Sequence, residues 1–198
     1  MKRYIKLLAM AGATLIAMNS CNNTKTTASD TESVVLENIF ARTSVRKFTS
    51  EKVSDKQVET LLKAAMAAPS AMNKQPWRFV VISDRQKLDS MAAKMPYARL
   101  DTAPMAIVVC GDLSGEGARF WEHDCSAATE NLLLAAQAMG LGAVWTAASD
   151  GERAAIVREA LELPSYIHPL CVVPIGHPDG DFTPKDKWDP SKIHYERW

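Results

Sequence analysis

Two short stretches say most about this chain: Arg42-Thr43-Ser44-Val45-Arg46-Lys47-Phe48, and Pro69-Ser70-Ala71-Met72-Asn73-Lys74-Gln75-Pro76-Trp77. The first places two arginines and a serine on one extended or turning segment, and the planar fork of arginine suits phosphate oxygens. The second is a loop of small and amide side chains closed by Pro-Trp, which suits a flat heterocycle. An isolated R-x-x-x-R is usually a solvated surface feature, but the two stretches together predict a site for a planar, phosphorylated cofactor.

The composition predicts a single folded domain. The chain has 198 residues, 47% of them hydrophobic, and its 23 basic residues balance 23 acidic ones. Such a length and apolar content allow a real core, and the neutral charge argues against nucleic-acid binding. The histidines are scattered and the cysteines lack C-x-x-C spacing, so we predict no metal site. Cys110, Cys125 and Cys171 are expected to be buried, inert thiols.

The N-terminus reads as a secretory signal rather than as part of the fold. Basic residues at positions 2, 3 and 6 precede the apolar run 7–18, and a cysteine follows Ser20. We interpret 1–21 as a lipoprotein-type signal peptide ending at Cys21, which would be the lipidated residue; ordinary secretion is the alternative. Residues 22–32 are expected to be a flexible tether and 33–198 the folded domain. This predicts an exported, membrane-anchored lipoprotein of a bacterial cell envelope, or else a soluble periplasmic protein.

Hydrophobic periodicity predicts helices separated by short apolar strands. Helices are expected from about 32 to the arginine motif, from Ser54 to before Pro69, and at about 84–94, 120–139 and 152–161. Strands are expected at 79–82, 105–110, 143–146 and 170–175. Ser54-x-x-Gln57 is a capping box, and Gly140 is placed to end the longest helix. The pattern predicts an α+β sandwich, and because no G-x-G-x-x-G follows a strand, it disfavours a doubly wound dinucleotide fold.

The C-terminal arm, residues 177–198, has a different composition from the rest of the chain. It shows no periodicity and contains several prolines and two tryptophans, Trp188 and Trp198. A monomer rarely leaves two tryptophans on a loose tail, so we expect the arm to pack on a partner subunit. Its Lys185 and Lys187 could close on the same anion as the arginines.

Four motifs in this order resemble the nitroreductase family. They are the two opening stretches, the helix Glu130-Asn131-Leu132-Leu133-Leu134-Ala135-Ala136 ending in Gly140-Leu141-Gly142-Ala143-Val144-Trp145, and Val173-Pro174-Ile175-Gly176-His177-Pro178. The similarity runs from about residue 34 to the C-terminus. It implies an α/β/α sandwich around a small mixed sheet, with the C-terminal arm exchanged in a homodimer. It also implies FMN bound at the subunit interface and NAD(P)H as co-substrate.

The resemblance further implies which residues hold the FMN phosphate and ribityl chain, namely Arg42, Ser44, Lys185 and Lys187. Arg46 would lie near the pyrimidine edge of the isoalloxazine ring. The two lysines depart from the lysine–arginine pair common in the family, which implies a weaker fork and looser FMN.

The ring itself would be contacted by backbone and small side chains from both subunits. Trp145 and Thr146 would face it, with a backbone N–H in reach of N5. The other subunit would supply a loop of five residues with an amide nearby: Pro69, Ser70, Ala71, Met72 and Asn73, together with Gln75.

The implied activity is hydride transfer from a reduced nicotinamide, or another donor, to a small aromatic acceptor. Nitroaromatics and quinones would be the acceptors, a shared cleft would give ping-pong kinetics, and no protein side chain would be catalytic. Reductive dehalogenation and flavin turnover are alternatives within the same fold. A non-catalytic flavin-binding or scaffold lipoprotein is the alternative from another class. Export conflicts with the cytoplasmic supply of reduced nicotinamides, which would require a different donor.

Overall fold

The structure, a computed structural model, describes residues 28–198. Its helices are α1 (Ala28–Ala41), α2 (Asp55–Met66), α3 (Arg85–Lys94), α4 (Trp121–Ala138) and α5 (Gly151–Leu161). Its strands are β1 (Trp77–Ile82), β2 (Met105–Asp112), β3 (Gly142–Ala143), β4 (Thr146–Ala147) and β5 (Ile167–Gly176). Short 3₁₀ turns occur at Ala71–Asn73, Pro96–Ala98, Glu116–Phe120 and Pro190–Lys192.

The sheet is the middle layer of an α/β/α sandwich. Its strand order is β1-β2-β5-β3, and β4 also pairs with β5. Side chains alternate along a strand, so Ile107 packs with α2 and α4, whereas Val108 packs with α3 and α5. Both faces of β2 are therefore buried, which explains its uninterrupted apolar sequence. The α+β sandwich expected from the sequence is confirmed.

The sheet differs from the expected mixed one, because every pairing among the described strands is antiparallel. The connection 83–104, which contains α3, leaves and returns to the same end of the sheet. It thereby brings Ala106 opposite Ile82 and makes β2 run against β1. A helix between two strands suggests a parallel crossover, but here a further stretch after α3 carries the chain back.

Local signals in the sequence set the helix ends. Ser54 accepts a hydrogen bond from the backbone N–H of Gln57, whose side chain accepts one from the backbone N–H of Ser54, and together these form the predicted capping box. Gly140 follows α4 with φ of 70°, a conformation that glycine adopts without strain. Cys110, Cys125 and Cys171 are buried as expected, and burial raises the pKa of each thiol to about 12.

The start of α1 corrects one boundary. Residues 28–32 are helical, although they belong to the predicted tether 22–32. Thr31 and Glu32 belong to residue types that favour the first turns of a helix, because their oxygens and charge complement its positive end. The remainder of that tether and the predicted signal peptide 1–21, with Cys21, lie outside the described residues.

Candidate cofactor site

The arginine segment lies against the edge of the sheet. Val45 is buried, and its N–H donates a 3.1 Å hydrogen bond to the carbonyl of Ala143 in β3. A Cβ at Gly142 would lie only 2.5 Å from Val45 Cγ1, so the close approach of the two segments requires a glycine there. In an extended segment alternate side chains point to opposite sides. Burying Val45 therefore turns Ser44 and Arg46 outward, and Arg46 is exposed.

Three cationic side chains line one groove of about 480 Å³ between the end of α1 and the C-terminal arm. These are Arg42, Lys185 and Lys187. Asp186 also lines the groove, its Oδ1 accepting a 3.0 Å hydrogen bond from the N–H of Trp188, and Ile39, Phe40 and Trp188 supply apolar walls. Arg42 uses Nε for a 3.2 Å ion pair with Glu130 of α4, which fixes the orientation of the guanidinium. Guanidinium and ammonium groups that converge on one groove are the donor set that a phosphate requires. The groove thus fits the phosphate of the cofactor that the sequence predicts.

Trp145 and Thr146 lie on the same sheet edge, where the predicted strand 143–146 is interrupted. β3 and β4 keep one register against β5, with Ala143 opposite Ile175 and Thr146 opposite Val172. In that register Val144 falls opposite Pro174, and proline has no N–H to donate to a ladder. The interruption leaves Trp145 half-buried and outside the paired strands, while Thr146 is buried in β4.

The loop from Pro69 to Gln75 has an unusual backbone. Met72, Asn73 and Gln75 have φ of 50°, 55° and 50°, the left-handed region that residues other than glycine seldom adopt. Internal hydrogen bonds support this shape: Gln75 N–H donates to Ser70 Oγ at 3.0 Å, and Gln75 Nε2 donates to Asn73 Oδ1 at 2.8 Å. Backbone strain of this kind is concentrated at functional sites.

Three contacts tie the loop and the start of β1 to the rest of the fold. The N–H of Ala71 donates a 2.9 Å hydrogen bond to Asp124 Oδ1 in the first turns of α4. Lys74 pairs with Glu116, and Arg78 pairs with Asp112 at 2.7 Å. The hydrogen bond and charge of Lys74 lower the pKa of Glu116, which keeps this carboxyl ionised.

Within one chain the loop and the cationic groove lie on different sides of α4. One side of α4 contacts the segment that bears Arg42. Here Glu130 pairs with Arg42, and four residues later the carbonyl of Leu134 accepts a hydrogen bond from Nδ2 of Asn38. Another side of α4 contacts the loop and α2. Asp124 accepts a hydrogen bond from the loop, and seven residues later Asn131 donates one to α2. At 3.6 residues per turn the directions of Asp124 and Glu130 differ by roughly 120°. The structure therefore brings Arg42, Lys185 and Lys187 together, but does not bring the loop 69–75 into their groove.

Sequence patterns do not reveal that Asp124 holds the loop. The run Glu122-His123-Asp124 reads as the polar start of a helix, whose dipole acidic residues complement, and Glu122 and His123 are exposed. Asp124 is instead buried. Its position four residues before the buried Ala128 was the available signal, because residues i and i+4 share a helix face. Glu130, the partner of Arg42, was missed because helical periodicity marks it as an ordinary exposed residue.

Known proteins resemble this chain over most of its length. Residues 39–99 and 91–177 match the model of the Nitroreductase family. A protein of Methanothermobacter thermautotrophicus, provisionally named an NADH dehydrogenase/NAD(P)H nitroreductase, is 41% identical over 167 residues, which are 83% of this chain and 87% of that protein. A crystal structure from Bacteroides thetaiotaomicron with the same provisional name is 50% identical, with a TM-score of 0.81, over 83% of this chain and 98% of the other. A provisionally named nitroreductase of Desulfovibrio desulfuricans in complex with FMN is 32% identical, with a TM-score of 0.72, over 83% and 97% of the two chains.

These similarities overturn the prediction of an exported, membrane-anchored protein, which is wrong. The relatives are named as NAD(P)H-using enzymes, and reduced nicotinamides are supplied in the cytoplasm and not in the cell envelope. Among residues 28–198, no helix is long and apolar enough to cross a membrane.

Proposed function

Because the chain belongs to the nitroreductase family, we propose that it transfers reducing equivalents from a reduced nicotinamide to a small aromatic acceptor. It is an FMN-dependent oxidoreductase that uses NAD(P)H, as its relatives are by name. The acceptors we propose are nitroaromatics and quinones, which are flat and accept two electrons. Donor and acceptor would occupy one cleft in turn, which gives ping-pong kinetics.

The observation that carries the proposal is the convergence of three cations on one groove. Arg42 and the arm lysines Lys185 and Lys187 would hold the FMN phosphate, and Ser44 would donate to the phosphate or ribityl oxygens. The ion pair with Glu130 holds Arg42 in place before the cofactor arrives. A preoriented guanidinium loses less side-chain freedom on binding, which favours affinity.

The ring would lie along the sheet edge. Arg46 is exposed beside β3, where its positive charge would stabilise the reduced ring. Trp145 lies at the interruption of the edge strand, so its backbone is available to a ligand, and Thr146 follows it in β4. When bound, FMN supplies the hydride chemistry itself. The protein residues hold it, orient its ring and complement its charge.

A second copy of the chain would complete the site. No loop residue lines the cationic groove of its own chain, so the loop would contact a ring held by the partner through Pro69, Ser70, Ala71, Met72, Asn73 and Gln75. Large apolar side chains available for such a contact are exposed, including Phe40 at 71%, Trp188 at 74% and Trp198 at 98%. Exposed apolar surface of this extent is typical of protein interfaces. We therefore propose a homodimer in which the C-terminal arms embrace the partner subunit.

The experiment that tests the function is a visible absorption spectrum of the purified chain, as isolated and after added FMN, before and after anaerobic NADH or NADPH. We expect a flavin band that bleaches with a nicotinamide and returns with a nitroaromatic or quinone. A chain that binds no FMN under these conditions would contradict the proposal.

A matched pair of variants tests the groove. Arg42→Ala removes the guanidinium, and we expect FMN to bind about 10- to 100-fold more weakly, because hydrogen bonds to charged groups contribute about 1.5–3 kcal/mol. Glu130→Gln breaks the same ion pair but keeps Arg42, so its FMN dissociation constant should stay within about threefold of the parent value, given the small worth of exposed ion pairs. Equal losses in the two variants would mean that Arg42 acts through the ion pair and not on the phosphate.

A further inference from the structure

Asp124 is a buried carboxyl with few polar neighbours. Its side chain is 5% exposed, and Oδ1 accepts the 2.9 Å hydrogen bond from the N–H of Ala71. Oδ2 is buried as well and has no hydrogen-bond partner among the described residues. Burying a carboxyl with so little compensation is costly, so a residue retained in that state requires an explanation.

The position of Asp124 on α4 does not provide the explanation. An acidic residue near the start of a helix complements the helix dipole, but Glu122 does this from an exposed position without being desolvated. Packing does not provide it either, because an apolar side chain would fill the same volume without the cost of burying a polar group.

The loop that Asp124 holds does provide an explanation. Met72, Asn73 and Gln75 adopt left-handed backbone conformations, which persist in residues other than glycine only when the surroundings enforce them. Most of the loop's hydrogen bonds are internal, such as those of Gln75 to Ser70 and Asn73. The bond from Ala71 to Asp124 connects this small strained unit to the longest helix of the fold.

We infer that Asp124 is a positioning residue for the flavin ring, acting through Ala71 on the shape of the loop 70–75. It touches neither ring nor substrate itself. By fixing the first residue of the 3₁₀ turn Ala71–Asn73, it holds the amides and small side chains of the loop in the arrangement that receives the ring. This inference rests on the proposed function, since it assumes that the loop contacts FMN.

The first test needs no cofactor. Backbone hydrogen exchange of residues 70–75 is measured in the full-length chain without FMN. Asp124→Ala deletes the acceptor and leaves the N–H of Ala71 unpaired, so exchange in this segment should become about tenfold faster, the factor that corresponds to 1.4 kcal/mol. Asp124→Asn keeps the Oδ1 acceptor and should retain most of the protection. The control Glu122→Gln, in the same helical turn, should leave exchange unchanged.

The second test measures the FMN dissociation constant from the quenching of flavin fluorescence. Asp124→Ala should weaken binding about tenfold while Asp124→Asn restores it, a rescue that a purely volume-filling side chain would not show. Asp124→Leu fills the volume without an acceptor, so it serves if the alanine variant does not fold, and it should behave like alanine in both tests. The inference would be overturned if a folded Asp124→Ala or Asp124→Leu chain showed the same hydrogen exchange and the same FMN dissociation constant as the parent. If the parent chain failed to bind FMN, the proposed function would fail, whereas the exchange experiment would still report whether Asp124 holds the loop.

Discussion

The contact between Gly142 and Val45 allows the orientation of the arginine segment to be tested by one added methyl group. Gly142→Ala places a Cβ 2.5 Å from Val45 Cγ1 and 2.7 Å from Val45 Cβ, distances that real carbon atoms do not tolerate. Val45 is buried and tied to Ala143 by a backbone hydrogen bond, so it cannot swing into solvent without breaking that bond. The segment carrying Ser44 and Arg46 must move instead.

The expected cost follows from this geometry. Forcing an extra methyl group into a packed region costs about 1–3 kcal/mol, and we expect the free energy of unfolding of Gly142→Ala to fall by about 2 kcal/mol. Val45→Ala removes the obstructing methyls and should itself cost about 1–2.5 kcal/mol in lost burial. In the double variant the 2.5 Å contact with Val45 Cγ1 is removed while the 2.7 Å contact with Cβ remains, so the clash is partly relieved and the loss should be smaller than the sum of the single losses.

The assay is urea unfolding combined with the FMN dissociation constant. Gly142→Ala should weaken FMN binding, and Val45→Ala in the same chain should recover part of that affinity. Gly115→Ala is the matched control, because a Cβ there meets nothing within 4 Å, and its stability should stay within about 0.5 kcal/mol of the parent. Additive losses in the double variant, or a Gly142→Ala chain as stable as the parent, would refute the claim that Val45 sets the direction of the arginines.

Two further predictions concern the thiols and the C-terminal arm. Burial raises the pKa of Cys110, Cys125 and Cys171 to about 12, so their thiols stay protonated at pH 8 and should resist alkylation in the folded protein. In urea the pKa returns towards its ordinary value of 9.0 and the thiols should react. Mass spectrometry of peptides assigns each label to its cysteine, and rapid labelling of any of these three in the folded chain would contradict their burial. Replacing Trp188 and Trp198 by alanine should yield a monomer that binds FMN weakly, as judged by sedimentation and absorbance. Tyr166 is an exposed aromatic residue outside the arm, and the control Tyr166→Ala should change neither property. An unchanged sedimentation profile of the double variant would rule out the arm as an interface.

Features that depend on neighbouring residues were predictable from the sequence. The capping box at Ser54 and the left-handed Gly140 each rest on the chemistry of residues within one turn, and both occur as expected. The apolar run 105–110 likewise predicted a strand, which the structure has as β2. The family resemblance added the cofactor, which composition and periodicity could not have named.

Features that depend on pairing between distant residues were not predictable in the same way. The predicted strand 143–146 is interrupted because Val144 falls opposite Pro174, and that register becomes visible only once β5 is in place. The hydrogen bond between Ala71 and Asp124 joins residues 53 positions apart, so no local pattern indicates it. The helical start at Ala28 was obscured by a composition rich in threonine and serine.

The directions of side chains on α4 carry the strongest structural argument for a site shared between two subunits. Glu130 and Leu134 contact the segment that bears Arg42, and Asp124 and Asn131 contact the helix and loop that precede β1. The cationic groove and the loop are contacted by α4 residues whose directions differ by roughly 120°, and no residue of the loop 69–75 lines the groove. If the loop is a flavin contact, as its strained backbone and its anchor on Asp124 favour, this separation supports our proposal that it contacts the cofactor of a partner. Dimerisation and cofactor binding would then be a single equilibrium, which gives a physical reason for the large apolar surface on α1 and the C-terminal arm.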